Sequence, residues 1–346
     1  MLTEREKMIL KIIVNDYTKS GVPVGSKALS SQLPIHVSSA TVRNEMAFLE
    51  EIGLITKNHS SSGRVPSIEG YRYYVDNLLN PNPIDNNDMM IIQNSLSGRF
   101  RQIDEIVQQS ADILSNLTNY TALTLKPEQE TTPVLGSFRL VPLGNHKVMA
   151  ILITDNDEVV NQVFHIDGEL GGDKLDAVVR MINDKLAGKP LDEVITKLKT
   201  EIVPEILKYV KNPENLVQTL DDVLMQASTN QFYIGGELNL LSFTDNNDIS
   251  YLKPIYSLLN DTDDAAKFIK SSDNSISVQI GPELSNDLLK DYSIITGSYD
   301  VGPYGKGVVA VLGPTRMPYS RVIGIVDGFR NELSKKLRNY YDKYNQ

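Results

Sequence analysis

The sequence predicts an α+β multidomain protein: an N-terminal winged helix-turn-helix, then an α/β domain interrupted by an insert made of a three-stranded antiparallel sheet with helices. Three observations carry that prediction. Residues 1–79 hold three short helical patterns and then a polar hairpin. Three alternating runs joined by short turns fill residues 137–165. A mostly helical stretch, Asp173 to about Met225, then separates one earlier strand from four later ones.

In the head, Thr3-Glu4-Arg5-Glu6 is a capping box, and Met8, Ile9, Ile12, Ile13 and Tyr17 repeat at helical spacing behind it. Ser20-Gly21-Val22-Pro23 stops this helix, and a second spans roughly Ser26 to Gln32 before Leu33-Pro34. A serine in Val37-Ser38-Ser39 caps a third helix, Ala40 to Ile52, that runs until Gly53. At about 100° per residue, Val42, Met46 and Leu49 form its core stripe, while Ala40, Arg43, Asn44 and Ala47 gather on the opposite face. Arg matches the O6/N7 edge of guanine, Asn matches the N6/N7 edge of adenine, and small neighbours permit close approach. Ser38, Ser39 and Thr41 lie where hydroxyls and free amides meet phosphate.

Leu54–Lys57 reads as a strand, Asn58–Arg64 as a polar hairpin tip, and Val65-Pro66 as the return. Three helices and such a hairpin make a winged helix, with helix three for the major groove and the wing for the backbone or minor groove. Lys57, His59, Ser61, Ser62, Gly63 and Arg64 are the candidate wing contacts, and Ser26 and Lys27 the candidate backbone contacts of the second helix. Helix-turn-helix folds also serve as protein-interaction modules, and an outward Arg-Asn pair also suits a solvated face.

Residues 80–88 are a Pro/Asn/Asp-rich linker. Ile103, Ile106, Val107, Ile113, Leu114 and Leu117 mark a long amphipathic helix, and Tyr120–Leu125 a strand. Ser137–Val141, Lys147–Thr154 and Glu158–His165 form the meander of the insert. Strands resume at Gln231–Ile234, Ser275–Ile280, Tyr292–Gly297 and Gly307–Leu312, and Ser320 caps a last amphipathic helix.

No catalytic group, cofactor or metal site is expected. The chain has no Cys, which excludes disulfides, Cys-ligated zinc and thiol nucleophiles and fits a reducing cytoplasm. His36, His59, His146 and His165 share no metal-ligand spacing. Gly302-Pro303-Tyr304-Gly305-Lys306-Gly307 lacks the interval and the Ser/Thr of a P-loop and reads as a hairpin turn. The apolar run Met8–Val14 is broken by Lys11, so it is neither signal peptide nor membrane span. Of the formal net charge of −10, residues 1–80 carry +1 (nine Lys/Arg, eight Asp/Glu), leaving −11 on the remainder. A near-neutral head on an acidic body is compatible with DNA binding without arguing for it.

Four blocks closely resemble the HrcA family of heat-shock repressors: Pro23–Lys27, Ser38–Met46, Ser61–Pro66 leading into Gly70–Asp76, and Val311–Tyr319. They lie near both ends of the chain and in the family's order; Ser61 and Val65 stand where Thr and Ile are common. The resemblance implies a GAF-like domain (100–135 plus 229–346) interrupted by a dimerisation insert (136–228), behind a head (1–79) and a linker leading into a connecting helix (80–99). It further implies a homodimer that binds double-stranded DNA at an inverted-repeat operator, CIRCE, represses chaperone operons and loses activity on heat stress, with the GroE chaperonin as partner. A ligand-sensing regulator with an effector pocket in the GAF-like domain is the alternative, and a scaffold that does not bind DNA is a third reading.

Overall fold

The computed structural model describes residues 2–57, 63–128, 132–155, 159–165, 172–207, 214–228, 232–243, 249–260, 269 and 276–344. By contacts the chain divides into two compact units, Met1–Glu128 with Gln231–Gln346, and Gln129–Asn230.

The first unit begins with the head. Helix α1 (Glu4–Ser20) starts at the expected capping box, where Thr3 Oγ1 accepts from the Glu6 amide and Glu6 Oε2 from the Thr3 amide. It ends at Gly21, whose φ of 65° closes the helix with a bond to the Tyr17 carbonyl. Helices α2 (Ser26–Gln32) and α3 (Ser39–Glu51) follow, then strands β1 (Ile55–Lys57) and β2 (Arg64–Pro66). A third chain segment joins this small sheet: Val24 bridges Arg64, with both backbone bonds at 2.9 Å. Helix α4 (Ile68–Tyr73) runs on into a π turn, Tyr74–Leu78.

The α/β body is a five-stranded sheet in the order β7-β3-β10-β9-β8, antiparallel throughout. Its strands are β3 (Thr121–Glu128), β7 (Phe232–Gly235), β8 (Ile276–Ile280), β9 (Tyr292–Asp300) and β10 (Lys306–Pro314). Both faces are covered, so apolar residues alternate between two cores instead of between core and water. Val309 and Val311 face the core shared with the head, while Ala310 and Leu312 face a second one. Helices α5 (Asn86–Leu96), α6 (Ile103–Thr118) and the last helix, α12 (Tyr319–Tyr344), belong to the first side, and α11 (Ile249–Asn260) to the second. The hairpin between β9 and β10 is the glycine-rich segment, a 3₁₀ turn at Gly302–Tyr304.

Two expectations are corrected here. Ser320 does not cap α12, which has already begun at Tyr319; its hydroxyl accepts from the Asn82 amide and donates to the Asn80 carbonyl. The linker is accordingly strapped down. Gly324 and Gly328 leave room for it, since a Cβ at Gly324 would stand 2.0 Å from the Asn82 carbonyl oxygen. Its last three residues, from Asn86, are already in helix α5, capped by Asp85.

The second unit is the interruption. β3 and β7, which flank it in sequence, are hydrogen-bonded neighbours (Ala122 opposite Gly235), so the chain leaves and re-enters the sheet at one place. Strands β4 (Leu135–Gly144), β5 (Lys147–Thr154) and β6 (Val159–His165) form the expected antiparallel meander. Helices α7 (Gly172–Leu186), α8 (Leu191–Lys197), α9 (Val203–Ile206) and α10 (Glu214–Ser228) contribute to its own core with one face of that sheet. The Asn183 side chain ties α7 to β4, accepting from the Phe138 amide and donating to its carbonyl, both at 2.8 Å.

Candidate nucleic-acid interface

Helix α3 takes its orientation from Val42, Met46 and Leu49, all buried against the rest of the head. That burial turns Ala40, Arg43, Asn44 and Ala47 outward, and all four are exposed. The face is therefore a guanidinium and a carboxamide between two methyl groups, a shape suited to a groove. At the N-terminus of α3, Ser38 Oγ accepts from the Thr41 amide at 3.1 Å and lies 2.9 Å from Thr41 Oγ1. Ser38 is thus the helix cap as well as an exposed hydroxyl beside Ser39. Helix termini leave unpaired amides that attract anions.

Lys27 and Lys57 are exposed and Ser26 half-buried. His59, Ser61 and Ser62 lie outside the described residues. Gly63 is buried, with Pro23 so close that a Cβ would stand 2.8 Å from it; only glycine admits that approach. Arg64 differs from the sequence expectation of an outward wing cation. Its Nε and Nη2 both bond Glu50 Oε2, at 2.8 and 2.7 Å, and its side chain is 19% exposed. On the other flank of α3, Arg5 from α1 pairs with Glu45. Sequence reading missed both ion pairs because Glu45 and Glu50 lie on neither the core stripe nor the outward face.

The joint behind the head brings together two of the blocks that carry the resemblance. Tyr71 packs on Tyr319 with ring centroids 5.9 Å apart, and the Tyr319 hydroxyl bonds Ser293 Oγ and the Thr315 carbonyl, each at 2.7 Å. Burial pushes both phenol groups above their ordinary titration range. Arg72 donates to the Val278 carbonyl of β8 at 2.7 Å and to Glu283 at 3.0 Å, and pairs with Asp76 at 3.1 Å. The head is therefore bonded to the body's sheet edge.

A winged helix with an exposed Arg-Asn reading face is the head of a DNA-binding transcription regulator. Residues 1–76 match the family described as winged helix-turn-helix transcription repressor, HrcA DNA-binding, and residues 104–323 match HrcA protein C terminal domain. Similar proteins include the heat-inducible transcription repressor HrcA of Limosilactobacillus reuteri, 55% identical over 99% of both chains. Those of Ligilactobacillus salivarius (48%, all of both chains) and Enterococcus faecalis (45%, 99% of both) are similar as well. A crystal structure described as a hypothetical protein shares the fold, with a TM-score of 0.60 at 20% identity over 98% of this chain and 99% of that one. The chain belongs to the HrcA family and is a heat-shock transcription repressor, not an enzyme. Relatives bearing that name do not favour the ligand-sensing alternative. No helix among the described residues is long and apolar enough to cross a membrane, and none of their His, Asp and Glu side chains form a metal-binding group.

Proposed function

We propose that this repressor acts in the cytoplasm as a homodimer that binds a CIRCE-type inverted repeat, one α3 per half-site, with the GroE chaperonin sustaining its active form. The observation that carries the DNA reading is the exposed Ala40-Arg43-Asn44-Ala47 face of α3, set opposite the buried Val42-Met46-Leu49 stripe. In this reading Arg43 and Asn44 read base edges, while Ser26, Lys27, Ser38, Ser39, Thr41 and Lys57 hold the backbone, joined by His59, Ser61 and Ser62 at the wing tip. A gel-shift titration on a chaperone-operon inverted repeat against a scrambled duplex, at two salt concentrations and with and without chaperonin, tests it. Arg43→Ala and Asn44→Ala should each lose about 1–3 kcal/mol of discrimination. Lys27→Ala and Lys57→Ala should weaken binding to both duplexes and lower the salt slope by about one each. Equal losses on both duplexes for all four variants would reject this division of labour.

The dimer is supported by the outer face of the insert's sheet. Cross-strand rows Val141-Met149-Val163 and Ser137-Ile153-Val159 flank Ile151, and Val141, Val159 and Val163 are exposed. Isolated apolar side chains on a surface need no explanation, whereas the strip of Val141, Met149, Val163, Ile151, Ile153 and Val159, with Arg139 and Asn161 beside Ile151, suits a partner. A second copy is the occupant proposed, because an isologous pairing of two such faces matches an inverted repeat. Val163→Asp is expected to halve the mass seen by light scattering and to weaken binding to the full repeat. A dimer that persists would place the interface elsewhere.

A further inference from the structure

We infer that Arg64 is a positioning residue for DNA recognition: through Glu50 it fixes the wing against α3 and neutralises a carboxylate beside the reading face. The inference rests on the DNA-binding reading above and gives Arg64 a role other than phosphate contact. Four observations converge on it. Two nitrogens of the guanidinium converge on one oxygen of Glu50, and the side chain is largely buried against it. The Arg64 main chain is held as well, bonded to Val24 through both its amide and its carbonyl. The residue faces Lys57 in the β1–β2 register, next to the tight Gly63–Pro23 approach. Arg64 is therefore the node where the wing, the α1–α2 connection and α3 meet.

Glu50 explains why such a node serves recognition. It follows Arg43 by seven residues, so it lies about 20° away on the helix and about 10 Å further along it. An unneutralised carboxylate there would repel the phosphates flanking the groove and attract the Arg43 guanidinium away from a base. The Arg64 guanidinium, with Nε and Nη2 both on Glu50 Oε2, cancels that charge and holds the angle between wing and helix at once. The Arg5–Glu45 pair neutralises a second carboxylate, on the opposite flank of α3.

The test uses the full chain on the inverted-repeat and scrambled duplexes, with Arg64→Ala, Glu50→Ala, both together, and the exchange Glu50→Arg with Arg64→Glu. Expected are losses of roughly fivefold on the repeat for either single variant, no further loss in the double variant, and unchanged salt slopes. The exchange should recover binding to within about threefold of the wild type. Recovery in the exchanged protein also separates lost positioning from failure to fold, which melting curves would report for the single variants. A salt slope lowered by about one in Arg64→Ala, with Glu50→Ala neutral or tighter, would identify a phosphate contact and overturn the inference. So would an exchanged protein that binds worse than Arg64→Ala. Wild-type protein that binds neither duplex, with or without chaperonin, would instead remove the DNA reading itself, before any variant is compared.

Discussion

Alanine at Gly70 is expected to destabilise the protein by about 3 kcal/mol, the upper end for overpacking, through one added methyl group. A Cβ there would stand 1.9 Å from the Leu54 carbonyl oxygen, a clash with main chain that no rotamer change relieves. Ser67 already fixes this spot: its hydroxyl donates to the Gly53 carbonyl at 2.5 Å and accepts from the Gly70 amide at 2.9 Å, while its own amide bonds Leu54 at 3.2 Å. Helix α4 would have to lift off β1, and with it Tyr71 from Tyr319 and Arg72 from the Val278 carbonyl. The denaturant midpoint should fall with an unchanged slope, and protease should cut sooner near residues 79–85, where the strap leaves the head. Gly25→Ser is the matched control, because a Cβ at that N-cap meets nothing within 4 Å and serine suits the cap. A loss below 1 kcal/mol in Gly70→Ala would show that α4 can shift freely, and that the head is less tightly seated than its contacts imply.

That seat was the least legible part of the sequence, and the reason is distance along the chain. Capping and periodicity are local, so the Thr3–Glu6 box, the Val42-Met46-Leu49 stripe and the alternation of the insert's strands could all be read. Arg72 and Glu283 are 211 residues apart, and Ser320 and Asn80 are 240 apart. No local pattern joins them. Ser320 misled for a related reason: a serine ahead of an amphipathic run has the composition of a cap, but its hydroxyl is used by the strap. The composition of residues 80–88 correctly marked an absence of regular structure before Asn86, yet it was silent on Gly324 and Gly328, which make room for the strap. Arg64 illustrates a subtler limit. A basic residue at a wing looks like a phosphate ligand until its partner is known, and Glu50 sits on the flank of the helical wheel, where a division into inside and outside assigns no role. The reading face was visible because four exposed residues share one side of α3; its setting was not, because it depends on pairs between elements.

Removing the Phe138 side chain should cost the insert about 3–5 kcal/mol and uncouple its stability from that of the head. Phe138 is 2% exposed, lies at a small apolar cavity with Leu135, Leu152 and Ile182, and belongs to a core that shares no residue with the core under the head. The void left by Phe138→Ala would merge with that cavity, and the polar clamp from Asn183 holds β4 in place, which limits collapse and keeps the cost high. Calorimetry should then show an early transition, lowered by roughly 15 °C, followed by one at the wild-type temperature. Between the two, binding to a single half-site duplex should persist, while the full inverted repeat loses the advantage that a dimer confers. In the proposed dimer, with the insert joining two heads, this variant would release the operator on warming without any change to the reading face. Undiminished preference for the full repeat above the early transition would show that another surface joins the heads. Loss of half-site binding together with the insert would show that the two cores melt as one and that heat acts on the head directly.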